Sequence, residues 1–338
     1  CWYKIVRKKL HTIKLIGKGS YGKVYHVKDL ESKKDFALKK IDLSFSSENK
    51  GNLTELQILN YSNCGYIIKY HYCYIENNYL CIITDFYKKG DLLNVIQTKK
   101  NQRTYFTEES IWKIFLDLCM GIKYIHNNNI IHRDLKSANI FLDMENRAYL
   151  GDFGVSKILG NLPKTSTQIG TPFYMSPEIF RKHQYDKKVD MWGLGCILYE
   201  LITLNQPFFK SKSMHTLCLK IISGKIPKIY TKKYSKDLLK IIDYLLEVNP
   251  NRRLSINDLL NLEIIKDKMK SYNYDICNNN SDIPLLPYNI PKNIREWKLK
   301  IKDFQKGNNE IKKNKIDNEK INENKNDENS DKNNICHN

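Results

Sequence analysis

The stretch from Ile130 to Gly154, IIHRDLKSANIFLDMENRAYLGDFG, constrains this chain more than any other part of it. It places three oxygen-bearing side chains in one short interval: Asp134, Asn139, and Asp152 within Asp152-Phe153-Gly154. A carboxylate such as Asp134 can accept a proton from a hydroxyl, while an amide oxygen at Asn139 and a second carboxylate at Asp152 suit Mg²⁺, which prefers oxygen ligands. Phosphoryl transfer asks for this combination: a metal on the phosphates and a base aimed at the attacking hydroxyl. Any one of the triplets reads equally well as a polar loop between two strands. His132-Arg133-Asp134, Asn139 and Asp152-Phe153-Gly154 in this order are poorly explained by chance.

With 338 residues, the chain exceeds the size at which one hydrophobic core divides, so two lobes or domains are expected. A hydrophobic content of 41% is enough to fill them. No apolar run is long enough to cross a bilayer, and no secretory pattern opens the sequence. The nine cysteines form no C-x-x-C pair and no metal-ligand spacing, which points to reduced thiols rather than a disulfide framework. The net charge of +19 raises the question of nucleic acid or anionic membrane as partners. From Lys306 to Asn338, seven Lys balance seven Asp and Glu, so the excess belongs to the preceding part of the chain. There it is spread without a block of five basic residues, as expected of a solvated basic surface that attracts phosphates rather than a nucleic-acid or membrane site.

Residues Leu10 to Lys40 alternate polar and apolar and carry turn signals at Gly17-Lys18-Gly19 and Asp29-Leu30-Glu31, which predicts three antiparallel strands. The glycines of Gly17-Lys18-Gly19-Ser20-Tyr21-Gly22 would let backbone approach phosphate oxygens, and the strand pattern Val24-Tyr25-His26-Val27 follows where a dinucleotide fold would need a helix. Lys39 ends the apolar run Phe36-Ala37-Leu38, where an ammonium is costly unless paired. A helix is predicted over Ser47 to Asn60, with Glu55 as a candidate partner and with Gly51 and Asn52 weakening it. Two more strands are predicted between Tyr66 and Asp85. Thr107-Glu108-Glu109 caps a long helix whose Ile111, Ile114, Phe115, Leu118, Ile122 and Ile125 recur at helical spacing and form a core face. From Lys306 onward the composition is low-complexity Asn, Lys and Glu, too polar to bury a core, so disorder is expected. Ile311, Ile316 and Ile321 recur every five residues, which is not a heptad and gives no support to a zipper dimer.

Taken together, His-Arg-Asp with Asn139 and Asp-Phe-Gly resemble the catalytic core of eukaryotic protein kinases. Ile16-Gly-Lys-Gly-Ser-Tyr-Gly22, His132-Arg-Asp-Leu-Lys-Ser-Ala-Asn-Ile-Phe-Leu142, Gly170-Thr-Pro-Phe-Tyr-Met-Ser-Pro-Glu-Ile179 and Leu219-Lys-Ile-Ile-Ser-Gly-Lys-Ile-Pro227 narrow it: over about Leu10 to Ile265 the chain resembles NIMA-related (NEK) serine/threonine kinases. The resemblance implies an α+β, two-lobed fold: a small antiparallel β-sheet lobe with one main helix, about 10–85, and a larger, mostly helical lobe, about 90–265. Residues 1–9 would be an N-terminal extension, 266–305 a C-terminal extension able to dock, and 306–338 the Asn/Lys-rich tail.

Roles carry over position by position. Ile16, Gly17, Lys18, Gly19, Ser20, Tyr21, Gly22, Lys23 and Val24 would form the flap over the phosphates, with Ala37 on the adenine side and Lys39, positioned by Glu55, on the α- and β-phosphates. Thr84 would be the gatekeeper, Asp85 to Tyr87 the hinge that binds adenine through backbone, and Asp91 the neighbour of the ribose. Asp134 would be the base, Lys136 would neutralise charge on the transferring group and favour Ser/Thr over Tyr, and Asn139 and Asp152 would hold Mg²⁺, with Mn²⁺ as an alternative. Asp190 would hold the backbone of the loop around Asp134, and Glu178 would pair with Arg253. Regulation would fall on Thr167 as an activating phosphosite met by Arg133 and Lys157. Tyr70 is either a brake that points into the site or a tyrosine packed in the core.

The function implied is transfer of the γ-phosphoryl of MgATP to Ser/Thr of protein substrates, in a cell-cycle, microtubule or division setting. Activation would come from an upstream kinase or from trans-autophosphorylation, without nucleic acid or membrane as partner. A cytoplasmic location is expected, with the nucleus or microtubule-organising structures as alternatives. One rival is a kinase-shaped scaffold without catalysis. Another is a P-loop nucleotide hydrolase, against which the absence of G-x-x-x-x-G-K-[ST] counts.

Overall fold

The computed structural model describes residues 9–19, 22–42, 64–153, 157–158 and 172–274. Five antiparallel strands form the N-terminal sheet: β1 (Leu10–Gly19), β2 (Gly22–Asp29), β3 (Asp35–Asp42), β4 (Tyr70–Glu76) and β5 (Tyr79–Asp85), in the spatial order β1-β2-β3-β5-β4. The three predicted strands over Leu10–Lys40 are present. The next pair is shorter than predicted: the strand expected from Tyr66 begins at Tyr70, because Ile67 instead bridges to Leu150 and the N–H of Ile68 donates to the Leu150 carbonyl at 3.0 Å. Asn77 and Asn78 close the β4–β5 hairpin with φ of +47° and +64°. Two left-handed residues in a two-residue loop match the right-handed twist of the strands they join.

Alternation gives the sheet two apolar faces. Val27, Phe36, Leu38, Cys81 and Ile83 form a small outer core, while Ile41, Cys73, Leu80 and Ile82 join the main core below. β1 is an edge strand, so its pattern does not translate into burial: Ile13, Leu15 and Ile16 all remain exposed.

The second lobe is built around two buried helices. Within it lie α1 (Leu92–Asn101), α2 (Glu108–Asn127), α3 (Pro177–Phe180), α4 (Lys188–Thr203), α5 (Met214–Ile222), α6 (Lys236–Leu245), α7 (Ile256–Leu260) and α8 (Glu263–Ser271). Thr107 caps α2, its hydroxyl accepting from Ser110 N at 3.2 Å, as the sequence predicts. The expected face of α2 is buried, but so are Trp112, Leu116 and Cys119, so the helix is surrounded rather than laid on a surface. α4 is buried along nearly its whole length. Short strand pairs position the loops between these helices: β6 (Ile130–Ile131) with β9 (Lys157–Ile158), and β7 (Ile140–Leu142) with β8 (Ala148–Leu150).

Helix α8 runs through Ile265, the boundary at which the resemblance ends. Ile265 and Met269 are both buried, and Tyr274 beyond the helix donates its hydroxyl to Asp117 Oδ1 at 2.6 Å. Packing therefore continues at least nine residues past that boundary, to Tyr274, the last residue of the described part.

Candidate active site

Glycine geometry fixes the entrance. Gly22 has a φ of +137°, and a Cβ there would stand 2.2 Å from the Lys40 carbonyl oxygen. No side chain fits that space or that backbone, so β2 can pass close over β3 only with glycine at this position. Gly17 lies opposite Val24 and Gly19 opposite Gly22 in the β1–β2 register, which puts Ile16, Lys18, Lys23 and Val24 on a two-stranded flap. Ser20 and Tyr21 at its tip lie outside the described residues.

Beneath the flap, β3 presents Ala37 and Lys39, paired in register with Thr84 and Ile82 of β5. Residues directly opposite in an antiparallel pair share a face, so Ala37, Lys39 and Thr84 line one wall. Lys39 Nζ donates to Asp152 Oδ1 at 3.0 Å and links the two lobes. Burial alone would raise the pKa of Asp152, yet the Lys39 ammonium outweighs it and holds the carboxyl below its ordinary value. Glu55, the expected partner of Lys39, lies outside the described residues.

The loop after β6 carries the remaining groups. Asp134 Oδ2 accepts from Lys136 Nζ at 2.5 Å and from Asn139 Nδ2 at 3.2 Å, and the same amide also donates to the Asp134 carbonyl at 2.8 Å. Both bonds use the amide hydrogens of Asn139, which leaves its oxygen for a ligand. Arg133 and Asp152 sit at φ of +69° and +55°. Backbone of this kind costs on the order of 1 kcal/mol or more per residue and persists only where surroundings enforce it.

Asp190, at the start of α4, is that enforcement. Its carboxylate accepts from the N–H of His132 and of Arg133, each at 2.9 Å, and meets His126 Nε2 at 2.8 Å. It is completely enclosed, and although burial opposes ionisation, the His126 contact and the donated N–H groups keep its pKa below the ordinary value. Gly193, one turn on, lets α4 approach: a Cβ there would stand 3.0 Å from Leu135. The Asp-Phe-Gly side is tied by His132 Nε2 to the Gly151 carbonyl at 3.0 Å and by Gly151 N to the Asn139 carbonyl at 2.9 Å. Below, Arg253 grips Glu178 with two parallel bonds, Nη1–Oε1 at 2.7 Å and Nη2–Oε2 at 2.9 Å, with its guanidinium 5.1 Å over the Trp192 ring.

Other expected residues have different surroundings. Asp91 is the N-cap of α1 and uses both carboxylate oxygens on Asn94, from backbone N and from Nδ2, each at 2.8 Å. The same carboxylate is the one expected beside a ribose, and here it caps the helix that follows the hinge. Tyr87 packs its ring on Tyr149 at 4.6 Å, and its carbonyl accepts from Gly90 N at 3.0 Å. Tyr70 packs against the main core, its hydroxyl beside the Cys73 thiol. Thr167 and the side chain of Lys157 lie outside the described residues.

Several contacts have no signature in spacing. His71 Nε2 meets Asp85 Oδ1 at 2.5 Å, and His26 stacks on Phe86 with centroids 3.8 Å apart while bonding Asp35 at 2.9 Å. Both histidines brace the hinge from the sheet. Ser137, Tyr174 and Glu200 form a buried chain of bonds, Ser137 Oγ to Tyr174 Oη at 3.0 Å and Tyr174 Oη to Glu200 Oε2 at 2.6 Å. His126 and Asp190 are 64 residues apart, and no local pattern connects them.

A flap of glycines, a lysine reaching to an aspartate of the other lobe, and an Asp–Lys–Asn loop clamped by a buried carboxylate define a phosphotransfer cleft. The chain belongs to the protein kinase family: the Protein kinase domain matches residues 10–265, and that domain is of the serine/threonine, NIMA-related kind. Among its relatives, it is similar to the serine/threonine-protein kinase Nek1 of Mus musculus, 36% identical over 260 residues that make up 76% of this chain and 21% of the relative. Similarity to Nek5 of Mus musculus is 38% over 252 residues, 74% of this chain and 39% of the relative. The probable serine/threonine-protein kinase nek3 of Dictyostelium discoideum is 37% identical over 285 residues, 81% of this chain and 25% of the relative. The match thus spans between a fifth and two fifths of these relatives' length.

Proposed function

We propose that this chain is an active kinase that moves the γ-phosphoryl group of ATP onto serine or threonine hydroxyls of proteins. One observation carries the reading: Asp134 lies against both Lys136 and Asn139 on a single clamped loop, while Asp152 lies against Lys39. Asp134 orients the acceptor hydroxyl and takes its proton as the oxygen bonds to the γ-phosphorus and the bond to the β–γ bridging oxygen breaks. Lys136 holds positive charge beside that base, and Lys39 orients the α- and β-phosphates.

Asn139 and Asp152 fit Mg²⁺ in donor chemistry, one amide oxygen and one carboxylate. Among the described residues no group of three or more His, Cys, Asp or Glu could hold a metal. Such a site suits a cation that keeps waters and shares phosphate oxygens rather than one caged by protein. Bound there, Mg²⁺ supplies neutralisation of the phosphate charge.

Thr167 is our candidate for the activating phosphosite, with Arg133 as its basic partner. A role in cell division, and a cytoplasmic location with the nucleus or microtubule-organising structures as alternatives, are supported by the NIMA-related character alone. The scaffold reading is separated by one assay: label transfer from γ-labelled ATP to a generic Ser/Thr substrate, with wild type beside Asp134→Asn. The expected result is transfer that EDTA abolishes and that falls roughly 10²- to 10⁴-fold in the variant, with nucleotide affinity kept. Folded wild type that binds nucleotide but transfers nothing would leave the scaffold.

A further inference from the structure

A sizeable part of the chain's basic excess lies in one stretch outside the cleft. Between Glu200 and Asp237 there are eight lysines and no acidic residue, so these 36 of 338 residues hold eight of the net nineteen positive charges. They include helix α5 and the loop that joins it to α6. At one margin Lys100, from the end of α1, and Lys210 both approach the half-exposed ring of Phe209, each at 5.7 Å from its centroid. At another, Lys233 lies 3.8 Å over the ring of Tyr105.

Helix α5, in the middle of this surface, is unusual for a helix at the edge of a fold. Its nine residues, MHTLCLKII, carry a single charge, Lys220. Leu217 and Ile221 are buried and supply the contact with the core. A surface helix would turn charged residues to the other side. Here Met214 and Leu219 are 53% and 54% exposed instead, and Tyr230 on the following loop is 88% exposed. The patch adjoins the segment that meets the catalytic loop: α5 packs on α3, which directly follows Tyr174-Met175-Ser176, Tyr174 bonds Ser137, and Arg181 Nη2 donates to the Ile222 carbonyl at 3.0 Å.

Exposed aliphatic side chains set among lysines, in a stretch with no carboxylate of its own and with Glu108 engaged by Ser235 at its far end, fit a ligand with the opposite pattern. We propose that α5 and the α5–α6 loop are a docking surface for protein substrates that carry an acidic segment with apolar anchors, separate from the residue that is phosphorylated. The inference rests on the kinase reading above. Charge complementarity selects the acidic partner and repels a basic one. Met214 and Leu219 present aliphatic surface, and residues 201–236 contain no arginine to fork onto base edges, which favours polypeptide over nucleic acid even with the Tyr230 ring exposed. Even a weak contact of this kind lowers KM, because it turns engagement of the acceptor site into an intramolecular event.

The test uses two substrates with the same acceptor peptide, one extended by a linker and a Glu/Leu-rich segment. Wild type is compared with Met214→Ser, with Lys225→Glu/Lys228→Glu, and with the milder Lys225→Gln/Lys228→Gln. The extension is expected to lower KM of the wild type by roughly tenfold at low salt and to leave kcat unchanged. The advantage should shrink as ionic strength rises and disappear in the lysine variants, while their kinetics on the unextended peptide stay as in wild type. Fluorescence anisotropy of the labelled segment alone on Asp134→Asn protein reads docking without catalysis, so failure of the kinase reading and failure of docking are distinguishable. Three results would overturn the proposal: no effect of the extension in wild type, an effect that survives all the substitutions, or single-stranded RNA or phosphatidylserine vesicles binding to this face in place of the acidic segment.

Discussion

Arg253 has no exposed surface, and its charge is met by Glu178, by the backbone carbonyls of Glu247 and Lys188, and by the face of Trp192. Removing one partner of such a pair leaves the other charge enclosed, at a cost of roughly 3–5 kcal/mol. Arg253→Met is therefore expected to lower the melting temperature well beyond an ordinary surface change, and adding Glu178→Gln should restore part of the loss. A melting curve equal to wild type would mean that the pair is not buried in solution. Thr84 makes a prediction of another kind. It is only partly buried, opposite Ala37, so a longer side chain would fill the space behind the wall where a base would rest. Thr84→Met should weaken inhibitors whose apolar group extends past this position by about tenfold or more, with KM for ATP nearly unchanged. Equal inhibition of both proteins would show that ligands do not reach past Thr84.

At the scale of elements, α4 matters less for its own stability than for what its first turn holds. In Asp190→Asn the side chain keeps one carbonyl oxygen in place of a carboxylate that serves His126, His132 and Arg133. A displacement of the loop by even about 1 Å can cost on the order of 10² in rate, so kcat should fall steeply while nucleotide affinity, measured by calorimetry, changes little. Parallel loss of both would mean that the clamp also shapes the nucleotide pocket. This clamp also shows what could and could not be read from the sequence. The strands, the Thr107 cap and the motif residues Asp134, Asn139 and Asp152 were legible because each depends on neighbours in sequence. His126 as a partner of Asp190 and the two hinge histidines were not, because tertiary packing alone brings His126 to residue 190 and His26 to Phe86. Asp91 was legible as important, but as a cap it answers to the helix behind it, and the sequence does not separate that demand from a ligand's. The alternation of β1 identified a strand and failed on burial, since an edge strand has only one neighbour.

For the molecule as a whole, the chain past Ile265 is part of the stability of the lobe. Tyr274 bonds Asp117 of α2 and stacks near Tyr66, their centroids 6.3 Å apart. Burial pushes the carboxyl of Asp117 up to about 6 from its ordinary value of 3.8, against the pull of the Tyr274 hydroxyl and Ala148 N–H. A carboxyl with a raised folded pKa binds its proton more tightly in the folded state, so its contribution to stability is complete below the unfolded pKa and is lost as pH rises through about 6. Compared with Asp117→Asn, the wild type should therefore lose on the order of 2–3 kcal/mol of stability between about pH 4 and pH 6.5. Denaturant titrations across that range measure it, and parallel curves for the two proteins would remove Asp117 as the cause. The long reach of the Asp190 clamp also bears on how the protein is made. Synthesis runs from the N-terminus, so every motif residue from Gly17 to Asp152 is made before α4 exists. During that interval the nascent chain has its motif residues, but the Asp190 carboxylate that accepts from the Arg133 N–H is not yet there. The clamped geometry of the Asp134 loop thus becomes available only after translation has passed residue 190, so the site is completed later than any of its motif residues.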